Sequence, residues 1–308
     1  MRKKVLSVII AVSMTATLLM GCGSETTPAA TEETPAEETA VEATTEETTV
    51  AEAVEEATAE TAVADPGLQK IKDAGVLKVG CKADVPSFGY QNTETGEFEG
   101  LEIDLSYAIA AEIFGVTKEE AKEQGLVEFQ GVTAKTRGPL LDNGEVDLVA
   151  ATFTITDERK ESWNFSTPYI QDALGLMCLA DAGYTSMADI DGAIIGVAQG
   201  STTKDAIEKY IADEGLDINV EFQEFDGYPA LSAALQSGNI DIFSVDRAIL
   251  AGYNDDTTMI LPERFGIQDY GIATALYAKE LTDTVETVVS GLLSSGEMET
   301  MISGWGIE

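Results

Sequence analysis

Thr152, Thr154 and Thr156 stand at alternate positions, with Phe153 and Ile155 between them, and Arg159 follows three residues later. Alternation with a period of two puts the three hydroxyls on one side of an extended chain. A guanidinium is a planar fork of donors that fits a carboxylate through two parallel hydrogen bonds. In isolation Arg159 reads as a surface arginine paired with Asp157 or Glu158. Here it follows a row of hydroxyls at the end of an apolar run, Val146 to Ala151. That setting suits a site that grips a small charged molecule.

Two further places offer complementary chemistry. Gly200 ends the run GVAQG, and Ser201, Thr202 and Thr203 open a helical pattern. Amides at a helix N-terminus attract anions, although Ser and Thr there are also ordinary helix caps. Asp246 lies just past the apolar run IDIFSV, where it is either a helix cap or the anion that meets an ammonium group. Together, Arg159, the 201–203 amides and Asp246 complement an α-carboxylate and an α-ammonium. Lys82, after VLKVGC, and Arg137, at the start of TRGPLL, are each a solvated charge when taken alone. Beside the other three they are left over to meet a further negative group. The chain has no histidine, which excludes a histidine general base and His-ligated zinc. No metal and no cofactor is expected.

Elements that could position these residues alternate along the chain. Residues 76–81 read as a strand, and 101–115 have apolar residues at helical spacing with a closing glycine. A strand at 126–130, a short helix at 136–144 and a strand at 146–155 follow. The alternation starts again with a strand at 193–199, a helix at 202–215, a strand at 218–225, a helix at 228–238 and a strand at 240–245. Residues 270–278 read as one more strand, and 282–306 as terminal helices. Strands alternating with helices predict an α/β fold with largely parallel sheets, and two such runs predict two lobes. In such sheets ligands bind beyond the carboxyl ends of the strands.

Charge separates the first residues from the rest. The chain of 308 residues carries −37, of which residues 25–65 hold −13 and residues 1–24 hold +3, leaving −27 for residues 66–308. A domain this acidic repels phosphate backbones, so no nucleic acid partner is expected. Residues 23–65 are Thr, Glu, Ala and Pro without an aromatic, the composition of a disordered tether. Before them, Arg2, Lys3 and Lys4 precede an apolar run from Val5 to Met20, the length of a signal-peptide core. That run ends in LLMGC, which resembles the lipobox of bacterial lipoproteins. The resemblance implies cleavage after residue 21 and acylation of Cys22; a single uncleaved transmembrane anchor is the alternative. Cys81 and Cys178 sit in apolar strand-like runs and read as two reduced core thiols, although export permits a disulfide.

From Gly67 to Gly306 the chain resembles the family 3 solute-binding proteins of bacterial polar amino acid ABC importers. The segments that carry the likeness are GVLKVGCKADVPSFGY, TGEFEGLEIDL, TRGPLLDNGEVDLVAATFTITDERK, NFSTPYIQDALGLM, GVAQGSTTKDA and IDIFSVDRAIL. Aspartate/glutamate-binding members are similar in VTAKTRGPLLDNG, ATFTITDERK and ILPERFGIQDYGI. The likeness implies a two-lobe, periplasmic-binding-protein-like (type II) α/β fold with two hinge strands. Lobe 1 would span 67–173 plus 269–308, and lobe 2 would span 174–268, after a signal peptide at 1–21 and a tether at 22–66. It also implies roles. Arg159, with Ser201 and Thr202, would hold the α-carboxylate. Asp246, with the Thr152 carbonyl and the Thr154 hydroxyl, would hold the α-ammonium. Lys82 and Arg137 would face a side-chain carboxylate, and Tyr228 would be a pocket aromatic. The segment PSFGY departs from the family's usual PPF.Y, which leaves Phe88 without an assigned role. The partners implied are an acidic amino acid, an importer permease and, through the lipid, a membrane. Two alternatives remain: a binder of glutamine or another polar amino acid, and a dehydratase-like enzyme, which would need a general acid facing its ligand.

If the lipobox reading holds, Cys22→Ala releases the protein from the membrane fraction, because a lipid chain is then its anchor. Fractionation of cells producing the variant checks this; membrane retention of a correctly processed variant contradicts it.

Overall fold

The computed structural model of the protein describes residues 66–307. The predicted signal segment, Cys22 and the acidic stretch up to residue 65 lie outside the described residues. Chain direction and burial within 66–307 organise two separate sheets, each covered by helices.

The first sheet runs Val127–Gly131, Leu77–Cys81, Leu148–Ala150, Ala273–Ala275, Trp163–Phe165 in spatial order. Its first three strands are parallel, and Ala273–Ala275 lies antiparallel to both of its neighbours. Leu77, Val79, Cys81, Leu148, Val149 and Ala150 are all fully buried. Strands covered on both faces need apolar side chains on both, which is why these runs read as continuously hydrophobic. The helix Leu101–Phe114 packs on this sheet and stops at Gly115, whose φ of 67° is the left-handed cap conformation.

The second sheet runs Glu221–Phe225, Ile194–Ala198, Ile242–Asp246, Ile170–Leu179, Thr258–Ile260, with Phe265–Tyr270 also paired to Ile170–Leu179. Its first three strands are parallel. The helices Thr203–Asp213 and Tyr228–Gln236 pack on it. Two stretches of chain link the sheets. Phe165 leaves the first sheet and Ile170 enters the second; Tyr270 leaves the second and Ala273 re-enters the first. The two crossings run side by side, with Tyr169 N–H donating to the Tyr270 carbonyl at 3.0 Å and Ser166 N–H to that of Ile272 at 3.0 Å. The architecture is the expected two-lobe α/β fold with two hinge strands.

The strands Trp163–Phe165 and Thr258–Ile260 and most of Phe265–Tyr270 lie outside those read from the sequence, and three further details differ from that reading. The strand predicted at 146–155 joins the first sheet only over Leu148–Ala150, because Thr152 turns out of it with φ 45°, and beyond the turn Thr154 pairs antiparallel with Tyr270. The strand predicted at 270–278 is broken after Tyr270, where the chain changes sheets. A small antiparallel sheet of Asp84–Val85, Gly89–Gln91 and Phe98–Glu99 was not legible, since two or three residues carry no period. It closes on Gly100, whose φ is 131° and where a Cβ would stand 2.2 Å from the Phe88 carbonyl oxygen. Phe88 is fully buried, edge-on to Tyr270 with ring centroids 5.8 Å apart, so it packs under the hinge. Cys81 and Cys178 are both buried and unpaired.

Candidate functional site

The carboxyl ends of strands from both sheets meet in one seam. Lys82 follows Leu77–Cys81 and is 1% exposed. Its Nζ lies 3.1 Å from Asp84 Oδ1 and 4.4 Å from the centre of the Tyr228 ring. Burial lowers the lysine's pKa, and Asp84 works to restore its charge. Lys82 is therefore not a spare cation, as the sequence reading had it: a carboxylate two residues on already meets it. Asp84 also reaches across the seam, accepting the Tyr228 N–H at 3.3 Å, and its carbonyl accepts the Tyr253 hydroxyl at 2.6 Å.

Arg137 opens the short helix Arg137–Asp142 and is buried. Its Nη1 donates to the carbonyls of Ala151 at 2.7 Å and Thr152 at 3.0 Å, and its guanidinium lies 3.9 Å from the Phe153 ring centre. Its Nε is buried without a partner. Arg159 follows on the next short helix. Its Nη1 donates to the Thr154 carbonyl at 2.7 Å and its Nη2 to the Gly200 carbonyl at 3.1 Å, so one guanidinium touches both lobes. It forms no ion pair with Asp157 or Glu158 among the described residues, which removes the surface-arginine alternative. Burial, and after it the charge of Arg137, lowers its pKa to about 9.

From the second lobe come Ser201, Thr202 and Asp246. Ser201 Oγ donates to the Ala198 carbonyl at 2.7 Å and accepts the Thr203 N–H at 3.4 Å, and the Thr202 side chain does not cap the helix Thr203–Asp213. The Thr202 hydroxyl donates to Gln268 Oε1 at 2.9 Å, and the Thr154 hydroxyl donates to the same oxygen at 2.7 Å. Gln268 stands on the crossing strand Phe265–Tyr270, so this single amide joins hinge, first lobe and second lobe. Asp246 ends its strand without capping the following helix, and its Oδ1 is buried without a partner. Burial, with Asp172 adding a like charge, pushes its carboxyl up to about 7. Arg137 feels the charge of both Asp246 and Glu102, and Arg159 feels Arg137 and Asp246, so these groups form one electrostatic unit.

Lys82, Arg137, Thr152, Thr154, Arg159, Ser201, Thr202, Tyr228 and Asp246 thus gather along the seam, whereas Thr156 accepts the Arg159 N–H as a helix cap and Cys178 lies in the core beside the second sheet. A cleft of about 490 Å³ opens beside it, lined by Arg159, Gly200, Ser201 and Thr202 among others. A larger depression of about 680 Å³ on the first lobe, between Trp163 and Thr282, has Thr156 on its wall but none of Lys82, Arg137, Arg159 and Asp246. Its size is no argument for it, because recognition needs convergent polar groups. Chemically, the seam offers a buried acid with a free oxygen and a buried guanidinium with a free N–H, a pairing suited to a zwitterion.

Sequence reasoning missed Asp84, Gln268 and Glu102. Asp84 and Gln268 carry no signal of their own. Glu102 did carry one: it lies on the same helical face as Leu105, Ser106 and Ile109, all buried, and a carboxylate on a core face needs an explanation.

Residues 77–307 match the model of the family described as Bacterial extracellular solute-binding proteins, family 3. A glutamine-binding protein of Geobacillus stearothermophilus is 37% identical over 224 residues, covering 70% of this chain and 80% of that protein. The glutamate-binding protein GluB of Corynebacterium glutamicum is 27% identical over 239 residues, 74% of this chain and 78% of that protein. Among solved structures, the P235GK mutant of ArgBP from T. maritima superposes with a TM-score of 0.68 at 25% identity, over 79% of this chain and all of that one.

The raised carboxyl of Asp246 sets a direction for stability. With an ordinary value of 3.8 and about 7 in the fold, the folded protein holds an extra proton between those limits. This group's contribution is complete below its unfolded pKa and is lost as pH rises through about 7. Asp246→Asn is expected to remove that slope and to raise stability at pH 8 relative to the parent by roughly 2–4 kcal/mol. Urea unfolding of both proteins at pH 5 and pH 8 checks it; parallel pH dependence in the two contradicts it.

Proposed function

The chain belongs to the bacterial extracellular solute-binding proteins of family 3, and from that premise we propose that it delivers an acidic L-amino acid to an ABC importer from the seam between its lobes. The observation that carries this reading is the pair of unpartnered, buried, opposite charges: Asp246 Oδ1 and Arg137 Nε. An acidic amino acid satisfies both, its ammonium meeting Asp246 and its side-chain carboxylate meeting Arg137, and water-excluded charges make the match selective. In this reading Arg159, with Ser201 and Thr202, holds the α-carboxylate. Asp246, the Thr152 carbonyl and the Thr154 hydroxyl hold the α-ammonium. Tyr228 floors the pocket beside Lys82, and Lys82 and Arg137 face the ligand side chain.

Charge balance supports an acidic ligand. Lys82, Arg137 and Arg159 face Asp84, Asp246 and Glu102. Burial raises the pKa of Asp246, which suppresses negative charge in the ligand-free seam and favours an incoming anion. A second reading has its own observation. Because Asp84 pairs with Lys82, the pocket offers a donor beside an acceptor, which suits the carboxamide of glutamine. The relative from Geobacillus stearothermophilus carries that ligand in its name. Around the pocket, we assign 67–173 with 269–308 to one lobe and 174–268 to the other. Outside the described residues, Cys22 is assigned as the lipid-bearing residue that holds the protein at the outer face of the cell membrane.

Titration of the protein with L-glutamate, L-aspartate and L-glutamine tests the function. Binding of one ligand per chain, with an acidic amino acid tightest, is the expected result; tighter glutamine selects the second reading. Arg159→Ala is expected to cost about 3–5 kcal/mol of binding, since a desolvated carboxylate loses its partner. A loss below about tenfold, or 1.4 kcal/mol, places Arg159 outside the contact.

Asp84→Asn tests which groups read the side chain. It frees Lys82 of its counter-charge while keeping an acceptor for the Tyr228 N–H. The ratio of glutamate to glutamine affinity is then expected to rise by roughly tenfold. Equal changes for both ligands mean that Lys82 and Asp84 brace the lobes and do not select the ligand.

A further inference from the structure

Thr152 has φ 45°, in the left-handed region that a β-branched residue avoids. Such a conformation persists only where its surroundings fix it. Two buried groups do so here. The Thr152 N–H donates to Glu102 Oε1 at 2.5 Å, and its carbonyl accepts Arg137 Nη1 at 3.0 Å. A second bond from the same Nη1 holds the Ala151 carbonyl at 2.7 Å. Glu102 is fully buried and is itself steadied by a short hydrogen bond from the Tyr169 hydroxyl. Glu102, Arg137 and Thr152 all belong to the first lobe, and Tyr169 to the crossing segment beside it. The arrangement therefore does not depend on contact with the second lobe.

We propose that Glu102 is a positioning residue for the binding wall. Together with Arg137 it clamps the Thr152 backbone from both ends in the left-handed turn that aims residues 152–154 at the ligand. That role rests on the amino acid reading of the seam. The turn ends the strand at Ala150 and sets the direction of the Thr152 carbonyl. It also places the Thr154 carbonyl, to which Arg159 Nη1 is bound. Loss of the clamp frees Thr152 to relax toward the extended region, which misdirects the wall without removing any ligand contact. Glu102 also counters the charge of Arg137, which remains buried with its Nε free.

The test uses the full chain and two readouts. In the ligand-free protein with 15N-labelled threonine, the Thr152 amide proton is expected to move upfield in Glu102→Gln, because a charged acceptor becomes neutral. Glutamate titration is the second readout. Glu102→Ala is expected to weaken binding on the order of thirtyfold, and Glu102→Gln and Tyr169→Phe by less. A glycine holds the left-handed conformation without strain. The loss caused by Glu102→Ala is therefore expected to shrink at least roughly fivefold when measured in a Thr152→Gly background. If Glu102→Ala does not fold, the same comparison is made with Glu102→Gln. An unmoved Thr152 amide overturns the clamp, whatever the protein binds. Equal losses in both backgrounds overturn it too, since a direct charge effect or a general loss of stability ignores residue 152. A parent chain that binds no amino acid while its Thr152 amide still responds overturns the reading of the seam, and with it the binding role of Glu102.

Discussion

Six charged groups crowd a seam that is largely closed to water, and the surrounding structure is arranged to partner them. An isolated ion in such a place costs several kcal/mol, so each must find an opposite charge or a set of dipoles. Lys82 has Asp84 at 3.1 Å. Glu102 accepts from the Thr152 amide and the Tyr169 hydroxyl. Arg137 and Arg159 have main-chain carbonyls, three of them from the single segment 151–154. Asp246 Oδ1 and Glu102 Oε2 keep no hydrogen-bond partner, and burial, with the like charge of Asp172, raises the pKa of Asp246. The early end of the strand at Ala150 and the left-handed Thr152 both follow from supplying those carbonyls.

The same demand explains how the lobes meet. Arg159 reaches the Gly200 carbonyl, Lys135 Nζ reaches Gln199 Oε1 at 2.9 Å, and Asp84 takes the Tyr228 amide. Gln268, rooted in a crossing strand, accepts a hydroxyl from each side. These are polar contacts, each a net contribution of about 1 kcal/mol. Covalent continuity comes from just two crossings. Polar bonds across the seam, together with a two-strand hinge, are the construction expected of lobes that part and close around a ligand.

Much of this was legible in the residues. Alternating apolar runs and helical spacings marked the parallel strands of both sheets and the main helices, because strands buried on two faces must be apolar throughout. Arg159, Asp246 and the threonines could be singled out because they follow such runs, at the ends where ligands bind in parallel sheets. What was not legible depends on partners distant in the chain. Asp84 is the exception, only two residues from Lys82, but the sequence does not show that both side chains turn into the seam. Glu102 lies 50 positions from Thr152, and Gln268 lies 114 from Thr154. No local pattern encodes those meetings. The left-handed turn at Thr152 was hidden for a related reason: threonine disfavours it, and tertiary bonds override the preference.

A crystal structure of the protein grown with L-glutamate tests the central claim most directly, namely that Arg159 and Asp246 hold the two ends of an amino acid in the seam. The predicted result is one ligand between the lobes, its carboxylate on Arg159 and its ammonium on Asp246 within hydrogen-bonding distance. A ligand bound elsewhere, or one bound in the seam with Asp246 Oδ1 still unpartnered, contradicts it.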